Sequence, residues 1–262
     1  MAEISRSSLS VTLSVWKALF LREAISRITA ARAAWAWMLF EPIMHIGFML
    51  ILFTMVKMRV VSGADTVVWL FVGLTAFFTA RNIYQRAMGA ISANQALFGY
   101  RQVLPVDTVL VRAALETFLG LIVAVILAAA IALFGHDVLP HEPLLVIASF
   151  TGLLLCGLGL GLVLSVACEM ISELGNIADM LFTPLYFLSG VIFPLTAIPP
   201  QYREWVFYNP FAHGIELLRS GFFPLYHAAP EANLAFLFGF ALVSIAFGLA
   251  LQVRFALQLR AK

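Results

Sequence analysis

A chain of 262 residues that is 62% hydrophobic and only 11% charged, with a mean hydropathy of +0.97, falls outside the soluble globular classes and reads as a polytopic membrane protein. Its net charge of +2 gives no sign of a nucleic-acid partner, because in such a chain the distribution of basic residues matters and their sum does not.

Residues 1–34 are too polar for the bilayer core. Val11, Val15, Trp16, Leu19 and Phe20 oppose Ser10, Ser14 and Lys17, a pattern that predicts an interfacial amphipathic helix or, failing that, a solvated arm. Arg22, Arg27 and Arg32, five apart, wind around the axis instead of lining one face. Six apolar segments follow, at 35–56, 67–88, 109–134, 144–168, 177–195 and 234–253. Each is near the roughly 20 residues that cross the hydrocarbon. The first lacks a small-residue cleavage site and is expected to stay as a helix. The expected fold is therefore an all-α membrane protein of two parts. Residues 1–34 form an interfacial helix, and 35–262 form one transmembrane domain of six helices, with short re-entrant helices between the fifth and sixth.

The first span opens with Trp35 and Trp37 and carries Glu41 and His45 one turn apart beside Pro42. Ionisable groups in a span are functional candidates, so this pair faces a hydrated pathway or makes an interhelical hydrogen bond. Arg81 and Arg86 interrupt the end of the second span, where they meet an anionic lipid phosphate or anchor the helix at the headgroups.

The stretch 92–107 is the longest polar interruption expected on the cytoplasmic side. It keeps an apolar cluster of Leu97, Phe98 and Tyr100, which suits docking better than solvation, although a plain connecting loop has the same composition. Gly99 ends a helix and Pro105 starts one, so residues 94–98 are expected to form a single exposed turn.

Arg112 and Glu116 open the third span at a spacing that pairs them on one face. In the fourth, Gly152, Gly157, Gly159 and Gly161 permit close helix contact; the glycine run is no nucleotide fingerprint, since it lies inside an apolar span. Cys156 and Cys168 share that helix, about 18 Å apart, too far to bridge. Glu169 and Glu173 present two carboxylates to a basic partner or belong to an ordinary turn. Tyr186 and Phe187 in the fifth span stack on sugar rings or sit in a lipid-facing belt. Beyond them Pro194, Pro199 and Pro200 stop the helix, and Tyr202, Arg203, Trp205 and Tyr208 are expected to anchor short helical pieces at the headgroups.

With both termini in the cytoplasm, only Lys57, Arg59, Arg203 and Arg219 of the 16 basic residues fall outside, which sets the orientation. No HExxH pair, GxSxG elbow or GxxxxGK[ST] loop occurs, and no Cys/His spacing suits a metal. Any energy for transport is supplied by another chain.

The run ANQALFGYR over 93–101, with PVDT over 105–108 and RAALE over 112–116, resembles the permease subunit of capsular polysaccharide exporters, within the ABC-2 class of ABC transporters. FLRE at 20–23, WMLFEP at 37–42, PLYF at 184–187 with Phe193-Pro194-Leu195, and IPPQY at 198–202 with Trp205, Asn209-Pro210, His213 and Glu216 match in order. The resemblance implies a homodimer in the bacterial inner membrane, worked by two cytoplasmic ATPase subunits that bind the ATP and Mg, and moving a lipid-linked polysaccharide. A periplasmic adaptor of the polysaccharide co-polymerase type and an outer-membrane polysaccharide export protein lie beyond. It also implies that Asn94, Gln95, Leu97, Phe98, Tyr100 and Arg101 form the coupling helix, with Glu169 and Glu173 as a second ATPase contact. This second contact departs from relatives, which carry a basic residue there.

On that reading Trp35, Trp37, Glu41, His45, Arg81, Arg86 and Tyr186 line the substrate pathway, and Arg22, Arg27 and Arg32 lie where the lipid headgroup is admitted. An ABC-2 permease for another cargo, such as O-antigen, teichoic acid or a small hydrophobic molecule, shares the fold. An intramembrane transferase using Glu41 and His45 is the reading from a different class.

Overall fold

The computed structural model describes residues 8–29, 34–55 and 63–261. Every regular element in them is helical. In order they are α1 (Ser8–Thr29), α2 (Ala34–Met55), α3 (Thr66–Met88), a 3-10 turn (Ser92–Leu97), α4 (Pro105–Leu133), α5 (Pro143–Met170), α6 (Glu173–Leu188), a second 3-10 turn (Leu195–Ala197), α7 (Pro200–Val206), α8 (Pro210–Phe222), α9 (Leu234–Arg254) and α10 (Ala256–Ala261).

The boundaries follow from local chemistry. Proline opens α4, α5, α7 and α8, where its missing N–H costs nothing. The Asp65 carboxylate caps α3 by accepting the Val67 N–H at 2.8 Å and the Val68 N–H at 3.3 Å. Asn209 and Asn233 cap α8 and α9 in the same way. Helix α6 ends at Leu188 because the chain turns through Gly190, whose φ of +68° is open to glycine.

That last boundary corrects the expected 177–195 segment, since α6 starts at Glu173 and has only 16 residues. The other five segments coincide with α2, α3, α4, α5 and α9 to within a few residues. By length and composition α3, α4, α5 and α9 are long and apolar enough to cross a membrane, and α2 holds a shorter apolar stretch, Ile43–Leu52.

Helix α3 is the centre of the bundle: 72% of its apolar window is buried, against 17% for α9 on the periphery. Helix α5 packs between the two. Its glycines make that possible, because a Cβ at Gly157 would stand 2.5 Å from the Ala80 carbonyl oxygen and one at Gly159 would stand 2.1 Å from Ser244 Oγ. Helix α1 lies across α4 and packs Val15, Leu19 and Phe20 against an apolar cluster that includes Ile91, Phe98, Val103 and Leu259.

Candidate substrate cavity and coupling segment

An apolar helix that carries Thr75, Thr79, Asn82 and Arg86 has a polar stripe at spacings of four, three and four, one face of α3. This face opens on a cavity of about 320 Å³, within the range that takes a small molecule. His45 and Met49 of α2 line it, as do Glu116 and Gly120 of α4, Phe182 and Tyr186 of α6, and Arg27 of α1. The upper wall is aromatic. Tyr186 stacks on Phe182 with ring centroids 6.2 Å apart and stands 5.8 Å from Phe78, which meets His45 edge-on at 4.8 Å.

The lower end is cationic. The Arg81 guanidinium lies 3.7 Å from the Phe182 ring centroid, a cation–π contact, and the Arg86 side chain is 64% exposed at the mouth. Of the residues expected in a substrate pathway, the structure thus brings together His45, Arg81, Arg86 and Tyr186, and adds Arg27. Arg32 lies outside the described residues, as do the side chains of Trp35, Trp37 and Glu41.

A charge cluster fixes the edge of this cavity. Glu23 of α1 accepts from Arg112 Nε at 2.9 Å and pairs with Arg27 at 3.5 Å; Arg27 also bonds Glu116, from which Arg86 Nε stands 3.9 Å away. The expected Arg112–Glu116 pair therefore does not form. Helix α1 crosses α4 and offers each of the two a partner of opposite charge, and these cross-helix pairs are only partly exposed. Arg112 also donates to the Arg86 carbonyl at 3.1 Å, tying the end of α3 to the start of α4.

The segment 92–101 is anchored where an exposed turn was expected. Asn94 is 3% exposed, donates to the Ala90 carbonyl at 2.7 Å and accepts from Arg22; Phe98 is buried in the α1–α4 cluster. Both turn inward because the 3-10 turn follows α3 directly and lies against α1. Gln95 and Leu97 are half-buried, and Tyr100, at 68%, and Arg101 are exposed. Trp16 Nε1 donates to Asp107 Oδ1 at 2.8 Å and completes the tie between α1 and this region. Glu169 and Glu173 do not share a loop. The first closes α5 and the second opens α6, with extended Ile171 between them. Glu173 there sits favourably at a helix N-terminus.

At the other end of the bundle Arg219, counted among the basic residues of the outer side, is fully buried. It donates to the carbonyls of Gly190 at 2.6 Å and Val191 at 2.7 Å and lies 3.3 Å from the Trp69 ring centroid. Gly73 makes room, since a Cβ there would meet the guanidinium at 2.2 Å. Glu216, 4.0 Å away, accepts from the Tyr226 hydroxyl and from the Ala229 N–H at 3.2 Å. Arg203 donates to the carbonyls of Thr196 and Ile198 and stands 3.7 Å from Glu231. Tyr202, Trp205 and Tyr208 are exposed.

Sequence reasoning missed Thr75, Phe78, Asn82, Glu116 and Phe182 as cavity residues. The polar stripe on α3 was the available signal for two of them. Among the described residues no group of His, Cys, Asp and Glu is arranged to hold a metal ion.

The ABC-2 type transporter family matches residues 14–223. The polysialic acid transport protein KpsM of Escherichia coli is 34% identical over 248 residues, covering 95% of this chain and 96% of that protein. The capsule polysaccharide export inner-membrane protein CtrC of Neisseria meningitidis serogroup A is 27% identical, covering 85% of this chain and 86% of its own length. Its counterpart BexB of Haemophilus influenzae is 26% identical, with 83% and 82% covered. With a family match over most of its length and a relative this similar from end to end, the chain belongs to the ABC-2 type transporter family.

Proposed function

We propose that this chain is the membrane-spanning permease subunit of an ATP-driven exporter that moves capsular polysaccharide across the bacterial inner membrane. The observation that carries the reading is the cavity, which sets guanidinium groups beside aromatic rings inside an apolar bundle. Cations that line a cavity in such a setting suit an anionic cargo, and flat aromatic faces suit sugar rings. The end-to-end similarity to proteins named for polysialic acid transport and capsule export supports the same cargo.

On this reading six helices, α2, α3, α4, α5, α6 and α9, span the membrane, with α6 completed by the turn that follows it. Both termini lie in the cytoplasm, α1 lies along the inner interface, and α7 and α8 re-enter from the outer face. The permease works as a homodimer with two ATPase subunits. The chain has no phosphate-binding loop of its own, so ATP and Mg belong to those subunits. A periplasmic adaptor and an outer-membrane export protein continue the path.

The force enters through the 3-10 turn. Just past it Tyr100 and Arg101 face the ATPase, while Asn94 within it and Phe98 at its end hold the segment to the bundle. Helices α3 and α4 leave its two ends and both line the cavity, so displacing the turn moves two walls at once. Two packings of the bundle, stabilised differently by nucleotide state, are all that such a lever needs. Deleting the gene is expected to abolish surface polysaccharide and leave the polymer inside the cell. Undiminished surface polysaccharide in the deletion strain would refute the reading.

A further inference from the structure

Two hydroxyl groups buried in the wall of the cavity make no hydrogen bond. Thr75 is 6% exposed and Tyr186 is 9% exposed; both line the cavity, and neither Thr75 Oγ1 nor the Tyr186 hydroxyl makes a hydrogen bond within the protein. Their neighbours explain why the chain itself cannot satisfy them. The Tyr186 ring is packed among Phe77, Phe78, Phe182 and Phe187, none of which accepts or donates. Thr75 contributes its carbonyl to the Thr79 hydroxyl at 2.7 Å, but its own hydroxyl is left over. Leaving a buried hydroxyl without a partner is costly, and such groups are commonly satisfied by water or by a ligand.

The rest of the cavity says what kind of ligand. Thr75 lies eleven residues before Arg86 on α3, about 16 Å along the axis, with Arg81 between them. Thr75 therefore lies towards one end and Arg86 at the other, with the Arg81 guanidinium between them against the ring of Phe182. Hydroxyls beside aromatic faces match a pyranose, which needs both hydrogen-bond partners and an apolar platform. Guanidiniums match a phosphate, which Arg binds with paired N–H groups.

We infer that Thr75 and Tyr186 form a sugar-reading subsite, which holds the pyranose of a glycosyl phosphate while Arg81 and Arg86 hold its phosphate. This rests on the transport reading above and adds to it the residues that distinguish a sugar-bearing phosphate from a plain one.

The test uses the full-length chain co-purified with its ATPase in nanodiscs and three short-chain probes: an alkyl phosphate, an alkyl glycoside and an alkyl glycosyl phosphate. The parent is expected to bind the glycosyl phosphate about tenfold more tightly than the alkyl phosphate, the gain expected of one to two satisfied hydrogen bonds. In Tyr186→Phe and Thr75→Val, which keep ring and shape, that ratio is expected to fall towards one. Arg81→Gln is expected to weaken both phosphate probes and leave the ratio in place. Unchanged ratios in both isosteric variants would mean that water alone satisfies the hydroxyls, and the inference fails while capsule loss on gene deletion still stands. Should Tyr186→Phe fail to assemble, Thr75→Val decides by the same ratio. No preference for the glycosyl phosphate in the parent overturns the inference outright.

Discussion

Two arginine centres sit at opposite ends of this apolar bundle, and they are built on opposite rules. Around Arg219 every partner is internal: carbonyls of a glycine turn, a tryptophan face, and a glutamate itself held by a tyrosine and a backbone N–H. Around Arg81 and Arg86 the charges line an open cavity, and two hydroxyls nearby are unmatched. A saturated buried cation holds three elements in one arrangement, because moving any of them strands a charge. Arg81 and Arg86 instead border open space, where an anion that enters can reach them. The difference separates an arginine enclosed by the fold from arginines that border a cavity, which composition alone does not.

The comparison breaks first at the saturated end. Arg219→Met leaves Glu216 buried beside no cation, and about 3–5 kcal/mol of stability should be lost, read as a lower unfolding midpoint in detergent. Adding Glu216→Gln should recover part of it. A single Arg219→Met variant as stable as the parent would show that the centre is not structural.

Arg81→Gln should do the reverse, leaving the unfolding midpoint within about 1 kcal/mol of the parent while surface polysaccharide falls by about tenfold or more, the loss expected when one charge-assisted hydrogen bond disappears. A smaller effect is expected at the α1–α4 seam. A double-substitution cycle of Glu23→Gln and Arg112→Gln should give a coupling of about 1 kcal/mol, above that of exposed pairs because both side chains are mostly covered.

The smallest effect is a pH dependence. His213 Nε2 donates to the Phe207 carbonyl at 2.7 Å and Nδ1 accepts the Asn233 N–H at 2.9 Å, so the folded ring is neutral, and burial holds its pKa below the ordinary value of 6.5. As pH falls through 6.5 the unfolded chain takes up the proton first. The stability due to His213 is thus complete above that value and declines below it, towards the lower folded pKa. Replacement by Gln should flatten the decline in a thermal-unfolding series from neutral to mildly acidic pH.

Hydrophobic length and turn chemistry made most helices legible in the sequence, because Pro105, Pro143 and Pro210 and the caps Asp65 and Asn233 act within one turn of themselves. The partners of charged residues were not legible, because they come from crossing helices: Arg112 reaches Glu23 from 89 positions away, and spacing along α4 pointed to Glu116 instead. Arg219 misled for the same reason. Its sequence neighbourhood is that of an outer loop, and only the turn at Gly190 and the face of Trp69 explain its burial. The cavity was half legible. Ionisable and aromatic residues in spans flagged Arg81, Arg86, His45 and Tyr186, whereas Thr75 and Phe182 gain their meaning from the helix opposite.

The most direct test of the account concerns who drives the bundle. Tyr100 and Arg101 are exposed on a segment that Asn94 and Phe98 tie inward. Affinity-tagged parent protein should bring down a nucleotide-hydrolysing subunit from its own membranes. The double variant Tyr100→Ala with Arg101→Ala should reach the same abundance and lose that subunit. Export that continues with no such subunit bound, or a double variant that retains it in full, would contradict the account.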